Sequence, residues 1–144
     1  MKIKILNTSD NPTPRLETKG AAGFDLAVSK DTIIRGASMQ LVPTGIRIAI
    51  PEGYEGQIRL RSSMSKKHVV MPNAPGTIDS DYRGELMVPI RNLAPYSGIT
   101  LKKGERIAQL VINKLPKITL EAVTIEEFGK LMTDRGEGGF GSTD

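Results

Sequence analysis

The chain has 144 residues, and its 20 Lys and Arg against 16 Asp and Glu give a formal net charge of +4. This length suits one domain, which buries roughly 70% of the surface of its unfolded chain. With no Cys and a single His, disulfide scaffolds, thiol nucleophiles and zinc sites built from Cys or paired His are excluded. The charge favours anions such as phosphates, but it is too mild and too evenly spread to predict a nucleic-acid partner.

The sequence gives no sign of export or membrane insertion. No apolar run approaches the roughly 18 residues of a membrane-spanning helix, and no apolar stretch typical of a signal peptide follows Met1. The absence of Cys is compatible with a reducing compartment. We therefore expect a cytoplasmic protein without a membrane partner.

Short segments in which apolar and polar residues alternate predict β-strands with one buried face. In chain order these segments are Lys2–Leu6, Asp31–Arg35, Thr44–Ile50 and Glu55–Leu60. Two later segments, Gly84–Arg91 and Arg106–Asn113, are denser in apolar residues, which is typical of strands covered on both sides by a second sheet or another subunit. Pro89 within the first of them marks an edge or a bulge.

Turn signals such as Pro51-Glu52-Gly53 and Lys103-Gly104 separate these segments at short intervals. Many short strands with frequent turns predict an all-β sandwich, jelly roll or barrel. Helical patterns are confined to Ser62–His68, which is long enough for one or two turns, and to Thr124–Leu131.

The C-terminal end differs in composition from the rest of the chain, because five of the 15 glycines lie in its last sixteen residues. We therefore divide the chain into a β domain of residues 1–128 and a flexible, Gly-rich tail of residues 129–144. Two interpretations of the tail remain open from composition. It is either a disordered end or a lid that orders on a phosphate ligand, with Phe140 as its apolar anchor.

The segment Asn73–Gly84 holds the densest group of polar residues. If residues 77–82 are extended, Asp79 and Asp81 project to the same side, and such a pair of carboxylates can hold a base near a metal. The alternative is a polar hairpin in which Asp81 and Arg83 satisfy the backbone of a turn. Both interpretations remain open at this point.

A second polar group, Arg61-Ser62-Ser63, follows a predicted strand and opens the short helix. Its hydroxyl and N–H groups suit an anion, and the alternative is a Ser N-cap beside a solvated Arg. His68 is the only imidazole, and no G-x-S-x-G segment accompanies it, so we predict a structural role for it rather than a place in a catalytic triad.

Taken in order, five segments resemble the motifs of the homotrimeric dUTPase family, the deoxyuridine triphosphate nucleotidohydrolases. They are Ala21–Ala27, Arg61–Ser63, Gly76–Glu85, Gly104–Leu110 and Arg135–Thr143. Five such motifs in this order make a chance match very improbable. The resemblance implies a jelly-roll or distorted β-barrel subunit with one short helix and a flexible Gly-rich tail, and a homotrimer whose active sites combine motifs from different subunits.

The resemblance also implies a reaction, the hydrolysis of dUTP to dUMP and pyrophosphate by water attack on the α-phosphorus. Asp79 matches the general base that activates this water, and Gln109 matches the amide that helps position it. Asp25 matches a carboxylate associated with Mg²⁺. Because the family carries Mg²⁺ on the substrate phosphates, Asp25 is expected to act indirectly, and no dedicated metal cage is expected.

Substrate binding is implied for three of the five motifs and for the amide that precedes the third. Asn73 matches an amide at the uracil site, Ile78 belongs to the same hairpin of residues 73–82, and Tyr82 matches the ring under the deoxyribose, which leaves no room for a 2′-hydroxyl. The second motif is matched to phosphate contacts through Arg61, Ser62 and Ser63. The tail is matched to phosphate and uracil contacts through Arg135, Phe140, Gly141, Ser142 and Thr143.

Two alternatives remain beside dUTP hydrolysis. A dCTP deaminase resembles dUTPases in fold and also carries an Arg-Ser-Ser stretch, but here Asp79 is followed by Ser80-Asp81-Tyr82, and Leu86–Arg91 lacks the Glu that deamination needs. The second alternative is a non-catalytic binding or regulatory module on the same fold. The presence of Asp79, Tyr82, Gln109 and the full tail argues against it.

Overall fold

The structure is a computed structural model that describes residues 1–139, and β-strands account for most of its regular structure. The strands are β1 Lys4–Asn7, β2 Phe24–Ala27, β3 Thr32–Ile34, β4 Met39–Pro43, β5 Ile46–Ala49, β6 Tyr54–Leu60, β7 Val69–Val70, β8 Gly76–Ile78, β9 Met87–Asn92, β10 Ile99–Leu101 and β11 Arg106–Lys114. The helices are a 3-10 helix, Ser62–Lys67, and α1, Ile125–Gly129. The prediction of an all-β subunit with one short α-helix is therefore confirmed.

The strands pair antiparallel in four small sheets that wrap around one core as a distorted, open jelly roll. The largest sheet has the order β2-β11-β6-β8, a second has the order β4-β9-β7, and the pairs β1-β5 and β3-β10 complete the set. The long strand β11 lies between β2 and β6 and pairs with both. It therefore connects the first sequence motif to the strand that leads into the second.

The core is aliphatic, in a chain that has only three Phe, three Tyr and no Trp. Its largest fully buried side chains are Leu26, Val28, Ile34, Val42, Ile58, Met64, Leu86, Val88, Ile90, Leu101, Ile107 and one polar residue, Asn92. The amide of Asn92 donates to the carbonyl oxygens of Ile34 and Ser97 at 3.3 and 2.7 Å, and its Oδ1 accepts from the Ala94 N–H at 3.0 Å. A buried amide with these partners avoids the cost of lost hydration and ties the end of β3 to the loop between β9 and β10.

The predicted strands and the predicted edge at Pro89 agree with the structure. Pro89 in β9 faces Leu41 of β4, whereas β7 pairs only with Arg91 and Asn92. Strand β9 is the central strand of its sheet, but at Pro89 it has a single paired neighbour, β4. The sequence patterns did not reveal the short strands β2, β4, β7, β8 and β10.

Beyond Lys114 the chain leaves the sheets, and almost every described residue from 115 to 139 is exposed. Helix α1 lies in this segment, where Ile125 is 94% and Phe128 65% exposed. The proposed division between residues 128 and 129 stays a prediction. Among residues 1–139, no helix is both long and apolar enough to cross a membrane.

Candidate functional site

The first and fourth sequence motifs meet at a buried carboxylate, Asp25, whose side chain is only 7% exposed. Asp25 on β2 lies directly opposite Gln109 on β11, so the two side chains point to the same face of the sheet. The Gln109 amide Nε2 donates to Asp25 Oδ1 at 3.0 Å. Since an ionised carboxylate only accepts hydrogen bonds, this contact fixes which end of the Gln109 amide is nitrogen.

The second motif joins the same group through Arg61, which follows strand β6. Arg61 Nε lies 3.4 Å from Asp25 Oδ1, and the Arg61 backbone N–H donates to the Ile107 carbonyl at 2.9 Å. The alternative of a Ser N-cap beside a solvated Arg was wrong. The N-cap residue of the 3-10 helix is Arg61 itself, whose guanidinium has no acceptor for a helix N–H and is ion-paired with Asp25 instead of being solvated. Ser62 and Ser63 are exposed.

Sequence reasoning missed Arg106, which completes the group. Arg106 Nη1 lies 3.0 Å from Asp25 Oδ2 and 3.4 Å from Glu17 Oε2. A bulge between Arg106 and Ala108 shifts the pairing with β2, so that Arg106 lies opposite Ala27. Because alternate residues share a face, this shift turns Arg106 to the side of Asp25. The alternation along β11 would have placed Arg106 on the other face, and no sequence signal marks the bulge.

We refer to Asp25, Arg61, Arg106 and Gln109 as the carboxylate hub. Both oxygens of its central carboxylate accept or face donors, and these donors come from the second and fourth sequence motifs, whereas Asp25 belongs to the first. A buried charge with such partners is compensated, whereas the same charge alone would cost several kcal/mol. The hub therefore holds two guanidinium groups and one amide at defined positions within a single chain.

The third motif lies elsewhere and ends strand β8 in a tight turn. The Tyr82 N–H donates to the Asp79 carbonyl at 3.2 Å, which closes the turn directly after Ile78. The extended segment with Asp79 and Asp81 on the same side was therefore wrong. Arg83 Nη1 donates to the carbonyl oxygens of Ser80 and Tyr82 at 2.6 and 2.8 Å. Arg83 therefore satisfies the backbone of the turn, as expected for it in the alternative of a polar hairpin.

The expected hairpin of residues 73–82 was also wrong, because this segment does not pair with itself. Strand β8 pairs with β6 instead of with another part of the same segment, because the chain turns at both ends of these three residues. Asn73 is exposed in the turn before β8, and its Nδ2 lies near Gly76. A cavity of about 230 Å³ is lined by Thr77, Ile78, Asp79, Tyr82, Glu85 and Met87. Three of the predicted site residues thus share one cavity.

Asp79 differs from Asp25 in its surroundings. Asp79 is exposed, and none of the ion pairs within residues 1–139 involves it. On its other side lies a wider cavity of about 570 Å³ that reaches Tyr54 and Leu115. The carboxylate is therefore accessible to water and to a ligand from two directions.

Within one chain, Asp79 and Gln109 lie far apart. On β6, Gln109 lies opposite Arg59 and Ile78 lies opposite Gly56. Asp79 is one residue beyond Ile78, so it is four residues along β6 from the level of Gln109. It is also two strands away from Gln109, because β8 and β11 lie on opposite sides of β6. With about 3.3 Å per residue and 4.8 Å between strands, the two are separated by roughly 16 Å. No single water can contact both side chains of the same chain.

The tail is described only as far as residue 139. Arg135 is exposed in a turn, where its Nε donates to the Gly138 carbonyl at 2.9 Å and its carbonyl accepts from the Gly138 N–H at 3.0 Å. Gly136 in this turn has a φ of +51°, in the left-handed region that glycine adopts without strain. The predicted contacts of Phe140, Gly141, Ser142 and Thr143 lie outside the described residues.

A protein-held metal site does not form in the part of the chain that the structure covers. No group of three or more Asp, Glu or His side chains in residues 1–139 is arranged to hold a metal ion. The one buried acid of the candidate site, Asp25, is already engaged by two guanidinium groups and an amide. The residues fit a cation that arrives on a ligand better than one that resides in the protein.

Comparisons with known proteins point to one family. A family model described as dUTPase matches residues 9–144. A deoxyuridine 5′-triphosphate nucleotidohydrolase of Finegoldia magna is 44% identical over 146 residues, which cover 99% of both chains. The protein of the same name from Wolbachia pipientis is 46% identical over 151 residues, covering 99% of this chain and 95% of the relative.

Solved structures give the same result for the fold. The dUTPase of Staphylococcus bacteriophage 80alpha with dUpNHpp superposes with a TM-score of 0.83 at 28% identity, covering 99% of this chain and 98% of the other. The dUTPase of phage phi11 of S. aureus gives a TM-score of 0.80 at 25% identity, covering 89% of this chain and all of the other, and is described as coordinating a structural Mg(II) ion.

Proposed function

The chain belongs to the dUTPase family, and on this premise we propose that it hydrolyses dUTP to dUMP and pyrophosphate. The observation that carries the proposal is the carboxylate hub, which joins three of the five motifs at one buried acid. The acid of the third motif, Asp79, lies outside the hub and is exposed. One carboxylate thus organises the phosphate-binding groups, and the other is available for proton transfer.

Asp79 acts as the general base. Its carboxylate takes a proton from a water molecule while the water oxygen bonds to the α-phosphorus, and the bond from this phosphorus to the bridging oxygen breaks. Pyrophosphate leaves with the electron pair of that bond, and dUMP keeps the new oxygen. The exposure of Asp79 and its lack of an ion pair within residues 1–139 support this role, because a carboxylate neutralised by a cation would be a weaker base.

Gln109 orients the attacking water and the α-phosphate. Because its Nε2 donates to Asp25, its Oε1 is on the opposite side of the amide and can accept a hydrogen from the water. Arg61, held by the same carboxylate, binds phosphate oxygens together with the exposed hydroxyls of Ser62 and Ser63. The hub thereby holds the Gln109 amide and the Arg61 guanidinium beside the phosphate groups of the substrate.

Mg²⁺ enters as part of the substrate, on the phosphate oxygens of dUTP. Bound there, it neutralises the triphosphate and so favours nucleophilic attack on phosphorus. Asp25 is the candidate for an indirect contact with the hydration shell of the ion. Its Oδ2 accepts from Arg106 and retains one lone pair for a water molecule.

Each active site combines at least two copies of the chain, and we propose a homotrimer. The roughly 16 Å between Asp79 and Gln109 within one chain supports this proposal, since a second copy must bring its own Asp79 to the hub. The outer face of β3, β4 and β7 also leaves large apolar side chains uncovered in the single chain, namely Ile33, Met39, Leu41 and Val70.

Substrate recognition falls to the third motif and to the tail. Asn73 and Ile78 contact uracil, and Tyr82 lies against the deoxyribose, where its bulk excludes a ribose hydroxyl. The tail of residues 129–144 closes over the bound nucleotide. Its substrate contacts are those of Arg135, Phe140, Gly141, Ser142 and Thr143.

The assay for this proposal measures pyrophosphate release from dUTP with Mg²⁺, beside dCTP and dTTP. We expect release from dUTP alone, because the contacts to uracil exclude the other two bases. No release from dUTP would reject the proposal and favour a non-catalytic module. Release of ammonia from dCTP would instead identify a deaminase.

Mixing two inactive variants tests whether the sites are shared. Asp79→Asn lacks the base, and a chain ending at Asp134 lacks the tail. When the two are unfolded together and refolded, mixed trimers contain some sites with an intact Asp79 and an intact tail, so activity should return. Activity that stays at the level of the separate variants would show that each chain builds its own site.

A further inference from the structure

The ring of Tyr82 lies on Gly84 so closely that no side chain fits there. A Cβ placed on Gly84 would lie 2.2 Å from Tyr82 Oη, 2.4 Å from Cζ and 2.8 Å from Cε2. Gly84 is not in the left-handed region of φ, so the backbone conformation itself tolerates any residue. Glycine is needed here because the ring occupies the space of a side chain.

The hydroxyl of Tyr82 is tied to the same segment. Tyr82 Oη donates to the Glu85 carbonyl at 3.0 Å. Glu85 is itself anchored, because its Oε1 accepts from the Gly45 N–H at 2.7 Å. The next residue, Leu86, exchanges two further hydrogen bonds with the same turn, its N–H donating to the Ile46 carbonyl and its carbonyl accepting from Thr44 Oγ1, each at 2.7 Å.

One side of the Tyr82 ring is therefore fixed, and the other side faces the cavity that it shares with Asp79 and Ile78. Tyr82 keeps 42% of its surface exposed, which leaves this second face open to a ligand. The position of the ring depends on the missing Cβ at Gly84 and on the anchored Glu85 carbonyl, rather than on packing in the core.

We propose that Gly84 is a positioning residue that determines sugar specificity, because it sets how far the Tyr82 ring projects into the cavity. This rests on the proposed function, in which that ring lies against deoxyribose. A side chain at residue 84 pushes the Tyr82 ring away from Gly84 and toward the cavity. The displaced ring then crowds deoxyribose as well as ribose, so dUTP loses its advantage over UTP.

The test compares kcat/KM for dUTP and UTP in Gly84→Ala. We expect the preference for dUTP to fall about tenfold, the size of effect that one misplaced group in a pocket produces. The change should lie mainly in KM, because Asp79 and the carboxylate hub are untouched. Gly20→Ala is the matched control, since no atom lies within 4 Å of a Cβ at Gly20 and its selectivity should stay unchanged.

The readout separates positioning from general damage, since a merely weakened fold lowers turnover of dUTP and UTP by the same factor. A folded Gly84→Ala enzyme with the wild-type preference would overturn the proposal. If Gly84→Ala does not fold, Tyr82→Phe decides, because it keeps the ring but removes its tie to Glu85. A preference about threefold lower supports the proposal, and an unchanged one overturns it. A wild-type protein that fails to hydrolyse dUTP instead contradicts the proposed function itself.

Discussion

Two carboxylates of this chain, Asp25 and Asp79, have opposite surroundings. Asp25 is buried and engaged by Arg61, Arg106 and Gln109, with contacts of 3.4, 3.0 and 3.0 Å. Asp79 is exposed at the end of a three-residue strand and enters no ion pair within residues 1–139. The same chemical group therefore organises one region of the molecule and is left accessible in the other.

The difference shows how a small chain divides the work of a phosphate-cleaving site. A buried acid with three donors holds other groups in position and is largely closed to bulk water. An exposed acid on a turn is open to water and to a ligand, but its side chain holds no other group in an ion pair. In the proposed function, the two regions complete one another only when a second copy brings its Asp79 to the hub, which would make the assembly part of the chemistry.

Removing the exposed carboxylate should have the largest effect on activity. Asp79→Asn keeps the shape of the side chain but not its basicity, so we expect turnover of dUTP to fall by about 10³-fold with nearly unchanged substrate binding. Steady-state kinetics and binding of a non-hydrolysable dUTP analogue measure the two quantities. Asp81→Asn, in the same exposed turn, is the matched control and should retain activity. Turnover near that of the wild type in Asp79→Asn would show that the base lies elsewhere.

Removing the tail should have the next largest effect. A chain ending at Asp134 should lose activity by about 100-fold or more, because closure and the Arg135 contact are gone. Its thermal midpoint and its size by gel filtration should match those of the full chain, since residues 115–139 lie almost entirely outside the core. A change in the oligomeric state would assign the tail a structural role and contradict this prediction.

Asp25→Asn tests the buried side of the comparison through stability. The variant leaves Arg61 and Arg106 without their shared anion, and we expect a loss of about 2 kcal/mol in the free energy of unfolding, measured by urea denaturation. Both arginines are partly exposed, which keeps the loss below that of a fully buried pair. Asp31→Asn is the control, because its pair with Lys102 is exposed and should contribute little. Equal losses in the two variants would show that burial does not matter here.

Much of this architecture could be predicted from the sequence, for physical reasons that differ between elements. Strands β5 and β6 carry enough alternation to be recognised, and Pro89 marks the edge of β9. The five motifs identified both carboxylates, because a family pattern records residue types in order. The pattern does not record geometry, so the sequence did not show that Asp25 and Gln109 face one another on adjacent strands.

Two features of the site depend on contacts that the sequence does not encode locally. Arg106 reaches Asp25 only because a bulge reverses its side of the sheet, and a single inserted residue leaves no periodic signal. From the sequence, Gly84 resembles an ordinary turn residue, yet the ring of Tyr82 occupies the space that a side chain at residue 84 would need. The expected extended segment through Asp79 and Asp81 failed for a similar reason, since a backbone hydrogen bond from Tyr82 to Asp79 closes a turn there.

A third carboxylate, Glu127 in α1, extends the comparison of Asp25 with Asp79, and its loss should have the smallest effect on the protein. Glu127 has donors but no burial. The Thr124 N–H and hydroxyl donate to its Oε2 at 2.8 and 2.9 Å, and the N–H, followed by the hydroxyl, holds the pKa of Glu127 below its ordinary value. Because the pKa is lower in the folded state, this contribution is present above the unfolded pKa, about 4.3, and is lost as pH falls through the folded value.

We therefore expect the amide signals of Thr124 and Glu127 to lose their helical chemical shifts in NMR spectra recorded below about pH 4. The thermal midpoint of unfolding should change little as Glu127 becomes protonated. Glu127→Gln should show the same local change at neutral pH. If donors alone made a carboxylate structural, the midpoint would move with the local signals. Thr124 is the N-cap of α1 and forms a capping box with Glu127. If only the local signals move, burial is what separates Asp25 from a carboxylate that merely has partners, because an exposed capping box stabilises its own turn and little else.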